Sequence, residues 1–180
     1  MTCIIGLKQD NTVFMGCDSA GVGGLSLRVR ADRKVFKKNG FIMGFTSSFR
    51  MGELLQYSLV IPVHYTGIDI YEYMVTSFIN AVRECLKAGG YAKKEKEEES
   101  GGTFLIGYKG RLFKIEDDYQ VAESLLPFDA CGCGEAYALG AMYSNANLTP
   151  HDRITQALTT AQEFSAGVRM PFHVLSQETE

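Results

Sequence analysis

A β-strand that starts at the second residue is the feature that most constrains the fold of this chain. Residues 2–8 and 12–18 are two runs rich in β-branched and apolar side chains, separated by the turn-rich trio at 9–11. These runs predict a β-hairpin at the amino end. Only Met1 precedes the first strand, and neither a positive start nor a long apolar run is present, so no signal peptide is expected.

Changes of hydrophobic period predict further strands and helices along the chain. Strands are predicted at residues 25–29, 34–37, 41–45, 103–108, 111–116, 127–131 and 172–175. Helices are predicted at 54–59, from Asp69 to the Gly89-Gly90 pair, at 135–144 and at 149–164. The Gly-rich segment 21–24 is expected to be a flexible turn, and the charge run 93–99 a mobile, solvated surface loop.

This order of elements predicts an α+β fold. Two antiparallel sheets packed together, with helix pairs on the outside, would form a four-layer αββα sandwich. The 180 residues, of which 46% are hydrophobic, suit a single domain over 1–180 with a charged loop near 91–102.

Charge and composition exclude several classes of partner. The net charge of −3 offers no basic surplus for a phosphate backbone or an anionic membrane surface. No apolar run reaches the length of a membrane span, so a cytoplasmic protein is expected. The five cysteines are an odd number in a chain large enough to fold without disulfides, and we expect them to be reduced.

Five short segments, in order and with matching separations, resemble the proteasome β-subunits and the related HslV peptidase. They are Thr-Cys-Ile-Ile-Gly at 2–6, Gly-Cys-Asp-Ser at 16–19, Arg-Lys-Val at 33–35, Ile-Met-Gly-Phe-Thr-Ser-Ser at 42–48 and Gly-Cys-Gly-Glu-Ala-Tyr-Ala at 132–138. The resemblance covers nearly the whole chain and is weakest between residues 60 and 100. It implies the fold of N-terminal nucleophile (Ntn) hydrolases.

The resemblance implies that Thr2 is the catalytic nucleophile once Met1 has been removed. A threonine hydroxyl needs a base, and a free α-amino group, with a pKa of about 7.7–8.0 in model peptides, can serve on the same residue. With Met1 attached this amine is an amide and cannot act. By the same resemblance, Lys34 lies beside the hydroxyl and Asp18 holds that lysine charged.

The resemblance also assigns supporting residues. The backbone N–H of Ser48 is the expected oxyanion donor, although the family usually has glycine at the matching position. Cys133 takes the place of a serine that binds the terminal amine, and its thiol is a weaker hydrogen-bonding group. Ser165 matches the serine of the family's Asp-x-x-Ser-Gly stretch, and the acidic position before it falls on Gln162 or, with a one-residue shift, on Glu163, which we take as the site residue.

Substrate and partners follow from the resemblance as well. Gly21, Asp32, Thr46 and Arg50 match substrate-binding positions, and the charges of Asp32 and Arg50 imply opposing preferences. An unfolded polypeptide is the expected substrate, bound in part by strand addition. A homo-oligomeric ring, fed by an ATP-dependent unfoldase, is the expected assembly, with no cofactor and no metal.

Three alternatives stay open at this point. A non-catalytic ring subunit or scaffold is compatible with the departures at Ser48 and Cys133, and a small-molecule amidase is compatible with the same fold. Cys131 and Cys133 are two residues apart on a predicted strand and could form half of a metal site with Cys3 or Cys17. The histidines, however, are dispersed without ligand spacing.

Overall fold

The amino-terminal hairpin is present as predicted. The computed structural model describes residues 1–95 and 98–179. Strand β1 spans Cys3–Gln9, β2 spans Thr12–Cys17, and the two pair in antiparallel register. Asp10 and Asn11 between them have positive φ angles of 47° and 61°. Two successive positive φ angles are typical of a type I′ turn, whose twist matches that of the flanking strands.

Two larger antiparallel sheets contain nine of the thirteen strands in the described residues. The later strands are β3 Ala20–Gly23, β4 Ser26–Val29, β5 Val35–Lys38, β6 Phe41–Phe45, β7 Lys93–Glu95, β8 Glu98–Ser100, β9 Phe104–Tyr108, β10 Arg111–Ile115, β11 Val121–Ala122, β12 Phe128–Gly132 and β13 His173–Glu178. The first sheet has the order β12-β1-β2-β13, and the second has the order β11-β10-β9-β6-β5. Strand β1 is therefore interior to its sheet, which fixes the position of the residue that precedes it.

Three of the described helices begin at a side-chain cap. The helices are α1 Phe49–Glu53, continued by a π-helical segment at Leu54–Ser58, α2 Ile70–Tyr73, continued by a π-helical segment at Met74–Phe78, α3 Ile79–Ala88, α4 Glu135–Ser144 and α5 Pro150–Phe164. Asp69 accepts hydrogen bonds from the first N–H groups of α2, and Thr149 caps α5. Helix α1 begins earlier than the predicted residue 54 because Ser48 caps it, accepting from the N–H of Arg50 at 3.1 Å.

Three hydrophobic clusters place the sheets and helices relative to one another. Between the two sheets lie buried side chains from both, including Ile4, Met15, Ile42 and Leu105. The opposite face of the first sheet packs against α4 and α5. On the opposite face of the second sheet, aromatic residues of β6 and β9 pack against apolar side chains of α2 and α3.

Two segments differ from the sequence-based expectation. The Gly-rich segment 21–24 is not a free turn, because β3 pairs with β4 from Ala20↔Val29 to Gly23↔Ser26. The charged segment contains β7 and β8, which pair as a two-stranded sheet rather than forming an irregular loop. The part of the predicted loop at 96–97 lies outside the described residues. Both hairpins are short local pairings, which hydrophobic alternation does not reveal.

The packing of the two sheets gives the first prediction. A Cβ added at Gly107 would lie 2.5 Å from Cγ2 of Ile42 and 2.6 Å from Cγ1 of Val13, whereas one at Gly23 would meet nothing within 4 Å. Because the added methyl group has to displace side chains of the core, we expect Gly107→Ala to lower the free energy of unfolding by about 1–3 kcal/mol. Urea denaturation with Gly23→Ala as the matched control measures this. Equal stability of the two variants would contradict the close sheet packing.

Candidate active site

The carboxylate of Asp18, directly after β2, accepts four hydrogen bonds. Its Oδ1 accepts from Nζ of Lys34 at 2.7 Å and from the backbone N–H of Cys3 at 3.0 Å. Its Oδ2 accepts from the N–H groups of Ala20 at 2.7 Å and Arg169 at 3.1 Å. The carboxylate thus connects the start of β1, the start of β3, the lysine before β5 and the loop before β13.

This ion pair is withdrawn from solvent. The side chains of Lys34 and Asp18 are 1% and 0% exposed. Burying two charges costs several kcal/mol per ion unless they are paired and their remaining polar groups are satisfied. The three backbone donors meet that requirement for the carboxylate. The sequence predicted the pair but gave no sign of these donors.

Thr2 lies next to the pair, since Oδ1 of Asp18 binds both Lys34 and the residue that follows Thr2. Thr2 is only 3% exposed. Its carbonyl oxygen accepts from the N–H of Gly134 at 3.3 Å. Gly132 has a φ of 103°, and a Cβ there would overlap this carbonyl oxygen. Glycine at 132 is therefore required for the end of β12 to approach Thr2 closely.

Cys133 and Ser165 complete a second contact to Thr2. The N–H of Thr2 donates to Sγ of Cys133 at 3.3 Å, and Oγ of Ser165 donates to the same sulfur at 3.3 Å. The structure thus brings Cys133 to the nitrogen of Thr2, the group that it was predicted to bind, and brings Ser165 to the sulfur of Cys133. In this chain that nitrogen belongs to the Met1–Thr2 amide.

The turn at residues 46–48 lines a small cavity together with Thr2, but its N–H groups are not arranged as predicted. The N–H of Ser48, the predicted oxyanion donor, is directed at the carbonyl oxygen of Thr46 at 2.6 Å. Ser47 has a φ of 59°, and its N–H has no hydrogen-bond partner among the described residues. Oγ of Ser47 accepts from the N–H of Thr103 at 3.0 Å, which holds the turn in place. A free N–H at Ser47 was not predicted from the sequence, because the backbone φ angle of a residue cannot be derived from the sequence.

Glu163 is not brought to the site. It is exposed in the last turn of α5, and no ion pair or hydrogen bond of its side chain is present among the described residues. Ala161 and Ser165 are both buried, and a residue midway between them points to the opposite side of a helix. Gln162, the alternative, is also engaged elsewhere, since its Oε1 accepts from the N–H of Met170 at 2.7 Å.

The four predicted substrate-binding residues line three different cavities. Thr46 and Thr2 line a small cavity of about 80 Å³. Asp32 and Arg50 line a larger one of about 850 Å³, and Gly21 lines a third of about 360 Å³. The structure therefore separates the two charged residues from the space beside Thr2.

The cysteines do not form a metal site. Among the described residues no group of three or more His, Cys, Asp or Glu side chains is arranged to hold a metal ion. Cys131 is buried between the sheets, whereas Cys133, past the positive φ of Gly132, is exposed. Burial raises the pKa of Cys17 to about 11 and raises the pKa values of Cys3 and Cys131 as well, so these three stay protonated thiols at neutral pH.

Comparison with solved structures identifies the fold. The chain is similar to Thiobacillus denitrificans BPH in complex with epoxomicin, with a TM-score of 0.79 and 21% identity over 99% of this chain and 100% of that one. It is also similar to eukaryotic HslV from Trypanosoma brucei, with a TM-score of 0.69 and 15% identity over 98% and 99% of the two chains. The fold is that of HslV and its proteasome-related neighbours.

A third similar structure extends this comparison. Anbu, an ancestral β-subunit from Yersinia bercovieri, gives a TM-score of 0.66 and 18% identity over 98% of this chain and 82% of Anbu. No family model matches the sequence, and no curated protein matches it. In the part of the chain that the structure describes, no helix has the length and apolar character needed to cross a membrane.

The buried ion pair gives the second prediction. We expect Lys34→Met to lower the free energy of unfolding by about 3–5 kcal/mol, because it leaves the Asp18 charge buried without its partner. The double variant Asp18→Asn/Lys34→Met should lose less than the sum of the two single variants, since neither charge then remains. Urea denaturation of the four proteins measures this coupling. A loss below about 1 kcal/mol, typical of exposed pairs, would contradict it.

Proposed function

We propose that this chain is a threonine-type peptidase of the proteasome β-subunit and HslV kind. Thr2 is the nucleophile after Met1 has been removed, and the substrates are peptide bonds of unfolded proteins. The observation that carries the proposal is the buried Lys34–Asp18 pair, whose shared oxygen also binds the residue next to Thr2. In the proposed reaction, the ammonium of Lys34 acts on the Thr2 hydroxyl, which must lose its proton to become a nucleophile.

The proposed reaction uses one residue as nucleophile and base. The free α-amine of Thr2 takes the hydroxyl proton while the oxygen attacks the substrate carbonyl carbon. The tetrahedral intermediate collapses to an ester on Thr2, and the amine of the leaving peptide receives the proton. Water, activated by the same α-amine, then hydrolyses the ester and frees Thr2.

Each neighbour has a role in this scheme. The ammonium of Lys34 lowers the proton affinity of the hydroxyl, and Asp18 holds that ammonium in place. Cys133 positions the nitrogen of Thr2, which its sulfur already contacts at the amide stage, and Ser165 holds that sulfur by a hydrogen bond. Glu163 has no role, because it is exposed on the far side of α5.

The oxyanion is proposed to bind at the turn of residues 46–48. The N–H of Ser47 is the first candidate, because it is unpaired among the described residues and Ser47 lines the cavity of Thr2. The N–H of Ser48 can contribute only if it leaves the carbonyl of Thr46. A crystal structure of a Thr2 adduct tests this, with the adduct oxygen expected about 2.7–3.1 Å from the nitrogen of Ser47.

The architecture and assembly proposed for this activity follow the same likeness. The three hydrophobic clusters support a four-layer αββα sandwich, with helix pairs outside two facing sheets. We propose that copies of the chain form a closed ring, which receives unfolded polypeptide from an ATP-dependent unfoldase. Light scattering of the purified protein tests the ring, since a monomeric mass at micromolar concentration would overturn it.

A non-catalytic ring subunit is the second candidate. It is favoured by the engagement of the Ser48 N–H with Thr46 and by the thiol of Cys133 at the position expected to hold a serine. The two candidates differ in one measurable property. Only the peptidase needs an unblocked, reactive Thr2.

Intact-protein mass spectrometry after treatment with an epoxyketone probe is the third test. Epoxyketones react with the hydroxyl and amine of an N-terminal threonine together, so we expect one adduct on protein that has lost Met1. Thr2→Ala should give no adduct, whereas Thr159→Ala, an exposed threonine on α5, should react like the unchanged protein. A chain that has lost Met1 but forms no adduct would support the non-catalytic subunit.

A further inference from the structure

Two phenylalanine rings separate the cavity beside Thr2 from a neighbouring cavity of about 850 Å³. Phe45 and Phe49 are the only residues that line both the 80 Å³ cavity and the 850 Å³ cavity among the described residues. Their ring centroids are 5.9 Å apart and their planes meet at 82°. This edge-to-face pair is therefore the wall between the two spaces.

The two halves of this wall differ in freedom to move. Phe45 is 5% exposed, and a Cβ on Gly52 would overlap its ring, so the ring lies directly on the backbone of α1. Phe49, at the first position of α1, is only partly buried and also borders the 360 Å³ cavity. Phe45 is thus the fixed half of the wall, and Phe49 is the half that can turn.

A cation holds Phe49 in place. Cζ of Arg30 lies 3.7 Å from the centroid of the Phe49 ring, the geometry of a cation–π contact. Nε of Arg30 in turn donates to both carboxylate oxygens of Asp32, at 2.8 and 3.0 Å. The chain Asp32–Arg30–Phe49 therefore keeps the passage closed, with a contact of modest strength because both charged groups are partly exposed.

The space on the two sides of the wall differs in size and polarity. On the Thr2 side, the cavity is small and is lined by Thr46 and the serines of the 46–48 turn. On the other side, the large cavity is lined by Asp32, Arg33, Arg50 and Glu53 as well as by aromatic rings. A side chain that enters beside Thr2 reaches those charges only if Phe49 moves.

We propose that Phe49, held by Arg30, is a specificity-determining wall that limits the residue on the acyl side of the cleaved bond to small side chains. This inference rests on the proposed peptidase function. Loss of Met1 opens the small cavity at the Thr2 end and leaves the Phe45–Phe49 wall unchanged. The protein therefore cleaves after residues such as alanine in preference to leucine.

The test uses two fluorogenic peptides that differ only in alanine or leucine at the acyl-side position. For the processed wild-type protein, kcat/KM is expected to be higher for the alanine peptide by about tenfold or more, the discrimination typical of a pocket too small for the larger side chain. Phe49→Ala joins the two cavities and should raise the leucine-to-alanine ratio of kcat/KM by about tenfold or more.

Further variants distinguish the loss of the Phe45–Phe49 wall from a general loss of structure. Phe49→Leu and Arg30→Gln, which leave α1 less disturbed, should shift the ratio in the same direction by a smaller factor. Tyr57→Ala removes an exposed ring that lines the large cavity alone and should leave the ratio unchanged. If Phe49→Ala does not fold, Phe49→Leu and Arg30→Gln decide the question.

The outcomes also separate this inference from the function beneath it. Turnover by wild type with leucine preferred, or a ratio unchanged in Phe49→Ala, Phe49→Leu and Arg30→Gln, overturns the wall and leaves the peptidase standing. If processed wild-type protein neither turns over the peptides nor forms an epoxyketone adduct at Thr2, the proposed peptidase function is overturned. The proposed role of Phe49 in specificity is then overturned as well.

Discussion

The buried contact between Asp18 and Lys34 is the interaction on which the rest of the site depends. Its carboxylate joins β1, β3 and the loop before β13 through three backbone N–H groups, so the charge also acts as a structural junction. A lysine in this position needs a permanent counter-charge, and a carboxylate in this position needs donors on every side. The chemistry proposed for Thr2 and the packing of the two sheets are therefore maintained by the same group.

Local signals in the sequence predicted much of the fold. The hairpin turn within residues 9–11, the helix start at Asp69 and the start of α5 at Thr149 each depend on a few neighbouring residues, and the structure has all three. The trio Thr2, Asp18 and Lys34 was found by its resemblance to a known family, and the structure places its members together. The trio can be found in the sequence because its members lie at the ends of β1, β2 and β5, at separations that match those of the family.

Features set by distant contacts could not be predicted. Glu163 matched a motif in sequence, but the rotation of α5 turns it to solvent. The N–H of Ser48 was expected to be free, but the positive φ of Ser47 directs it to Thr46. The contact of Arg30 with Phe49 joins the residue that follows β4 to the first residue of α1, and no periodicity in the sequence relates the two. Side-chain direction in turns and stacks is decided by tertiary packing.

The burial of Thr2 limits when Met1 can be removed relative to folding. An aminopeptidase must hold the Met1–Thr2 bond in an extended, accessible segment, yet in the folded chain Thr2 is 3% exposed and β1 pairs with β12 from Cys3 onward. For the proposed peptidase, removal of Met1 therefore has to precede the docking of the first hairpin. A molecule that folds with Met1 should keep it, and incubation with a methionine aminopeptidase should leave its mass unchanged unless it is first unfolded. Under that proposal, catalytic competence depends on whether processing precedes folding.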